Sequence, residues 1–285
     1  MSTADLHTHI ISPDLDRYPH RPLGGKRSAW SAERPVDLDG LLRNLDAAGV
    51  EKAAVVQAST VYGFDNRYAA DALAGHEDRL IGVCSVDFVA DDAIDQVKYW
   101  VDERNFAGVR IRAADGTTPV PSSTRLDDPR MDAVWSHLEA RRIPVCVQMH
   151  SRNTGTLLSV LERFPRLVIA LDHGARPRLD GGPPYAAAEE LFGLTAYEGV
   201  FLKITPVTVR RADDEPGGDA RKLVRRLVDG FGSEHVAWGS NFPASDGGLP
   251  ELRDLVEAAA GELTTEEQTD VFGRTAARIY PQLVI

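Results

Sequence analysis

Short runs of Val, Ile, Leu and Ala recur along the chain, and between them apolar residues fall at three- and four-residue spacing. The short runs read as buried strands and the spaced positions as amphipathic helices. Strands are expected to start at Ala4, Lys52, Leu80, Gly108, Pro144, Leu167, Val200 and Val236. Each interval has room for one strand, one helix and two loops, so the pattern is a βα unit repeated eight times. Leu38, Leu41, Leu42 and Leu45 share one helical face, as do Met131, Val134, Trp135 and Leu138. Near the end, Thr264-Thr265-Glu266-Glu267 reads as a helix N-terminus with acids in its first turn. The helix it opens presents Val271, Phe272, Thr275, Ala276 and Ile279 before Pro281 stops it.

Eight such units predict an α/β fold, a (β/α)8 TIM barrel, with residues 1–285 forming a single domain. Three stretches break the rhythm and read as long rim loops after strands 1, 4 and 7. They are the proline-rich Ser12 to Asp37, Ala113 to Asp128, and Thr205 to Asp219 with its Pro216-Gly217-Gly218.

Composition narrows the classes. The 285 residues are 43% hydrophobic and 26% charged, which is ordinary for a folded globular chain. Lys and Arg total 32 against 43 Asp and Glu, and the net charge of -11 argues against nucleic acid and anionic membranes as partners. Cys84 and Cys146 each lie in an apolar run, as buried thiols of a reducing compartment do. No signal-like or membrane-spanning run is present, so the expected location is cytoplasmic. Homo-oligomerisation is left open.

The candidate chemistry lies at strand ends. His7 and His9 flank Thr8, and on an extended strand alternate side chains share a face, with Leu6 and Thr8 on the other. Strand 5 runs into His150 and strand 6 into Asp172-His173. Four of the eight histidines thus fall on one rim, whereas His20, His76, His137 and His235 lie in loops or on helices. Arg110 and Arg112 share one face of strand 4 and Lys203 lies in strand 7; with Arg176 they could hold an anionic ligand or pair with a barrel acid. Gln57, Tyr62 and Asn66 after strand 2 could orient a polar ligand, and Trp30 and Phe242 could wall it.

The ordered motifs Asp5-Leu6-His7-Thr8-His9, Val61-Tyr62-Gly63-Phe64-Asp65-Asn66, Gly108-Val109-Arg110, His150, Leu171-Asp172-His173-Gly174, Phe201-Leu202-Lys203 and Trp238-Gly239-Ser240-Asn241-Phe242-Pro243 resemble the amidohydrolase superfamily over almost the whole chain. They are most similar to its amidohydrolase-related branch of pyrone-dicarboxylate and sugar lactonases. The resemblance implies a hydrolase that opens a lactone or related cyclic carbonyl compound carrying a carboxylate. His7, His9, His150, His173 and the residue at position 241 would be its catalytic set. It also implies either zinc or a similar divalent ion on His7, His9, His150 and His173, or metal-free catalysis by the same imidazoles. At position 241 the family's usual aspartate is replaced by Asn241, an amide that cannot act as a general base near neutral pH. Asp246 nearby reads as a turn residue. Two other readings stay open: a metal-dependent non-oxidative decarboxylase, or another lyase or isomerase; and a catalytically altered barrel that binds a small organic acid.

Overall fold

The computed structural model describes residues 2–112 and 125–285, and in it eight strands form one parallel sheet in sequential order. They are Ala4–Thr8 (β1), Lys52–Val56 (β2), Leu80–Ser85 (β3), Gly108–Arg112 (β4), Val145–Gln148 (β5), Ile169–Leu171 (β6), Val200–Ile204 (β7) and Val236–Trp238 (β8). Six start where the pattern predicts. β5 begins one residue later because Pro144 has no N–H to give the ladder, and β6 pairs with β7 only from Ile169. The ends of the sheet meet where Thr8 bridges Phe242 and His9 N donates to Phe242 O at 2.8 Å. The architecture is a TIM barrel.

Helices cover the outside. Helix Leu38–Ala47 is capped by Asp37, whose carboxylate accepts from Gly40 N, and it buries Leu41 and Leu45 fully against the sheet. Helix Asp132–Arg141 buries Val134, Trp135 and Leu138 in the same layer. Among the described residues no helix is long and apolar enough to cross a membrane.

The rim segments differ from their reading as plain loops. Residues 12–37 contain a short helix, Ala29–Glu33, and residues 205–219 contain the helix Pro206–Asp213, with Pro206 in its first turn. The segment after β4 falls largely on 113–124, outside the described residues.

Inside the barrel, side chains divide by height. Ala4, Leu6, Ala54, Val56, Ile81, Val83, Val168, Ala170, Phe201 and Ala237 form an apolar cluster that Ala276, Ile279, Tyr280 and Leu283 seal from below. The sealing segment opens on the expected cap, where Thr264 Oγ1 accepts from Glu267 N at 3.2 Å. Above this plug the interior turns polar.

Candidate active site

A β-bulge in β1 brings the first histidine inward. Asp5 pairs with Ala53 and Thr8 with Val55, so β1 spends three steps where β2 spends two. The extra residue breaks the strict alternation expected from the sequence. Leu6 packs in the interior cluster, and His7, its neighbour, also faces the interior. The bulge is held by Asp5, whose Oδ1 accepts from His7 N and from Ser240 N, both at 2.9 Å. Gly239 makes room for it, since a Cβ there would lie 2.7 Å from His7 Cβ.

The hub of the polar layer is Asp172, at the end of β6 and fully buried. Lys203 Nζ from β7 lies 2.5 Å from its Oδ1, and Arg110 Nε from β4 donates to its Oδ2 at 2.9 Å. Arg110 also donates to Gln148 Oε1 at 3.2 Å. Burial alone would raise the Asp172 pKa, but Lys203 and Arg110 hold its carboxylate well below the usual range. Lys203 stays an ammonium against its own burial because of Asp172 and Cys146. Of the two roles open to these cations from the sequence, Lys203 and Arg110 thus take the pairing with a barrel acid.

Three imidazoles stand in this layer. The His7 ring centroid is 5.0 Å from that of His9 and 5.2 Å from that of His173. His9 Nδ1 lies 2.6 Å from Val56 O, which only accepts, so Nδ1 carries the proton and Nε2 keeps its lone pair. Trp30 stacks on the same ring at 5.5 Å. His173 is aimed by left-handed backbone, with φ of +57° there and +59°, +58° and +46° at Gly174, Ala175 and Arg176. Non-glycine residues pay for this conformation, so the run marks a place where geometry outweighs local strain. Its Nδ1 lies 2.8 Å from Thr205 Oγ1. Burial pushes His7 down to about 4 and His9 and His173 well below the usual histidine range, so all three are neutral at pH 7.

The remaining candidates sit around this ring. Asn241 has φ of +54°, a conformation asparagine tolerates, and its Nδ2 donates to Ser245 Oγ at 3.0 Å. Asp246 is exposed and 3.3 Å from Arg34. Tyr62, Gln57 and Asn66 brace the backbone beside the site. Tyr62 OH accepts from Ser12 N at 2.7 Å, Gln57 Nε2 donates to Asp65 O at 2.7 Å, and Asn66 Oδ1 accepts from Ser85 N at 2.8 Å. His150 instead lines a cleft of about 620 Å³ with Arg152, Arg176, Arg211, Asp214 and Glu215. Burial and the adjoining Arg211 lower the Arg176 pKa, and burial with Arg110 pushes the Arg112 guanidinium down to about 9. Several guanidiniums are therefore neighbours on this side, with Glu215 and Asp180 offsetting Arg211. A hollow of about 710 Å³ around Phe192 and Arg225 lies among outer helices and contains none of the strand-end residues.

Asp172, Thr205 and Cys146 were given no site role from the sequence, although Asp172 lies in a quoted motif and Cys146 reads as a buried thiol. A visible signal existed for Asp172, a carboxylate ending an otherwise apolar strand.

His7, His9 and His173 are the residues that would hold a divalent ion, and the charge around them opposes one. Among the described residues no three His, Cys, Asp or Glu groups come together as ligands. The ring's carboxylate is engaged by two cations, and an ammonium stands 3.2 Å from His7 Nδ1. A dication would meet neutral imidazoles in a field already positive.

A parallel eight-stranded barrel with an H-x-H pair ending β1 and a histidine following β6 defines a hydrolase-type barrel site of the kind the amidohydrolases carry. The chain belongs to the amidohydrolase family, whose model matches residues 4–282. It is 26% identical over 211 residues to the L-fucono-1,5-lactonase of Burkholderia ambifaria, covering 74% of this chain and 70% of that one. Two solved structures share the fold. A putative 2-pyrone-4,6-dicarboxylic acid hydrolase from Pseudomonas putida superposes with a TM-score of 0.79 at 21% identity, covering 100% of this chain and 99% of that one. A Burkholderia multivorans amidohydrolase with bound zinc gives 0.77 at 23% identity, covering 99% of each.

Proposed function

We propose that this protein is a lactonase that opens a small cyclic ester bearing an acidic group, with His9 as the general base. The observation that carries this reading is the 2.6 Å contact of His9 Nδ1 with Val56 O. It leaves a neutral imidazole whose Nε2 can take a proton, which the amide of Asn241 after β8 cannot do. Water attacks the lactone carbonyl carbon as His9 Nε2 takes its proton. The ring C–O bond then breaks, and the proton passes to the leaving oxygen to give a hydroxy acid. In this reading the Asn241 amide, whose Nδ2 is tied to Ser245, orients the water. Burial, with Arg110 beside Arg112 and Arg211 beside Arg176, lowers the Arg112 and Arg176 guanidinium pKa values, and an incoming carboxylate would be held there, which supports an anionic substrate. The lactonase relative and the pyrone-dicarboxylate hydrolase neighbour favour a lactone as the ring to be opened.

Proton release in a pH-stat against 2-pyrone-4,6-dicarboxylate and neutral sugar 1,5-lactones tests this. The expected result is turnover with preference for the carboxylated ring, falling on the order of 10³-fold in His9→Gln. Folded wild-type protein that opens none of them, or a His9→Gln variant within about tenfold of wild type, would overturn the reading.

A further inference from the structure

The ammonium of Lys203 is fully buried and has three protons to place. Three acceptors surround it: Asp172 Oδ1 at 2.5 Å, Cys146 Sγ at 3.2 Å and His7 Nδ1 at 3.2 Å. His7 Nδ1 is also 3.3 Å from Asp172 Oδ1, so the ring stands between a group that only donates and one that only accepts. Its proton cannot satisfy both.

The approach of Lys203 to His7 Nδ1 has hydrogen-bond geometry, and that of Asp172 Oδ1 does not. If Nδ1 carried the proton, it would face the ammonium donor to donor, and a buried ammonium proton would lose its acceptor. If Nδ1 keeps its lone pair, the ammonium donates to His7 and to Cys146 and keeps its ion pair with Asp172. Asp172 Oδ1 makes no hydrogen bond among the described residues, its 3.3 Å approach to His7 Nδ1 included, and is held by its ion pair with Lys203, while Arg110 donates to Oδ2. The proton then sits on His7 Nε2, a buried atom with no hydrogen-bond partner among the described residues.

We propose that Lys203 is a positioning residue that fixes His7 as its Nε2–H tautomer, making His7 the N–H donor to the oxyanion that forms on the lactone carbonyl. The catalytic half of this statement rests on the lactone-opening reading, whereas the tautomer stands without it. It gives His7 and His9 opposite duties. Val56 O makes the second histidine a proton acceptor at Nε2, and Lys203 makes the first a proton donor there. Two adjacent imidazoles thus act as a base and an oxyanion donor without either being charged beforehand.

The test is long-range 15N–1H correlation of the imidazoles in protein labelled at histidine, with His7 assigned by its absence from His7→Asn. Wild type should show the His7 proton on Nε2. Lys203→Met should move it to Nδ1, donating to Asp172, and should lower kcat on the order of 10²-fold with KM little changed. Lys203→Arg, which restores a buried donor, should recover Nε2–H. A wild-type His7 protonated at Nδ1 would overturn the proposal, and that spectrum decides even if Lys203→Met does not fold. An Nε2–H tautomer in a protein that opens no lactone would defeat the lactone reading and leave the role of Lys203 in setting the tautomer standing.

Discussion

The two ends of the barrel interior are made of opposite materials, and Cys146 marks the seam. Below it, Ala, Val, Leu and Ile side chains close on Tyr280, whose hydroxyl lies 3.2 Å from Cys146 Sγ. Above it, Lys203, Asp172, Arg110 and His7 are equally dry but charged or polar, with Lys203 Nζ 3.2 Å from the same sulfur. The apolar end gains stability from every group it buries. At the polar end the ions are tolerable only because they are mutually satisfied, so removing one partner costs more than the pair was worth. The contrast places stability at one end and chemistry at the other.

Asp172→Asn should break the comparison hardest. It leaves Lys203 and Arg110 buried without their counter-charge, and a loss of about 3–5 kcal/mol in urea unfolding is expected. A loss under about 1 kcal/mol would mean that the cluster is not a mutually dependent unit. Tyr280→Ala should cost about 3–4 kcal/mol by opening a cavity under the strands. Its turnover per folded molecule should stay near wild type, because the apolar plug carries no reacting group. If that turnover fell with stability, the two ends would not be separable.

Acid should act on the polar end first. Burial holds His7 at about 4 in the folded protein against 6.5 for the exposed residue. On acidification the unfolded chain takes up the proton first, so this contribution is complete above pH 6.5 and is lost as pH falls towards 4. At about 1.4 kcal/mol per unit, His7 alone accounts for about 3 kcal/mol. Asp172 is depressed below its ordinary 3.8, so its contribution is present above that pH and is lost only as pH falls further. Urea midpoints at pH 7, 5.5 and 4 should fall more steeply for wild type than for His7→Asn. Parallel lines would show that His7 is not buried neutral.

Most of the scaffold was legible because it depends on local signals. Strand starts follow from apolar runs, and the cap at Thr264 from the reach of a hydroxyl to the third N–H. The helix Pro206–Asp213 was hidden because Pro216-Gly217-Gly218 dominated its segment, although Pro206 offered a start signal. In the candidate site, the positions of His7, His9 and His173 at strand ends could be read directly. Their hydrogen-bond partners could not, since Val56 O, Thr205 Oγ1 and Lys203 Nζ come from other strands or the loops after them. Those partners decide which nitrogen holds a proton. The bulge in β1 was hidden for the same reason, as it depends on β2 register and on Asp5 reaching Ser240.

Gly239 offers the finest cut between scaffold and site. An added methyl there would press on His7 at 2.7 Å from Cβ and 3.0 Å from N, at the bulge that turns the ring inward. Gly239→Ala should therefore cost about 1–3 kcal/mol of stability through overpacking. Gly155→Ala is the control, because a Cβ at Gly155 meets nothing within 4 Å and the residue opens the helix Thr154–Arg163. It should change stability by no more than about 1 kcal/mol, in the stabilising direction. The decisive comparison is activity per folded molecule, which should fall in the first variant and stay level in the second. A displacement of His7 by a few tenths of an ångström changes little burial but misaims an N–H. If Gly239→Ala lost stability and kept full turnover, the inward aim of His7 would matter to packing alone.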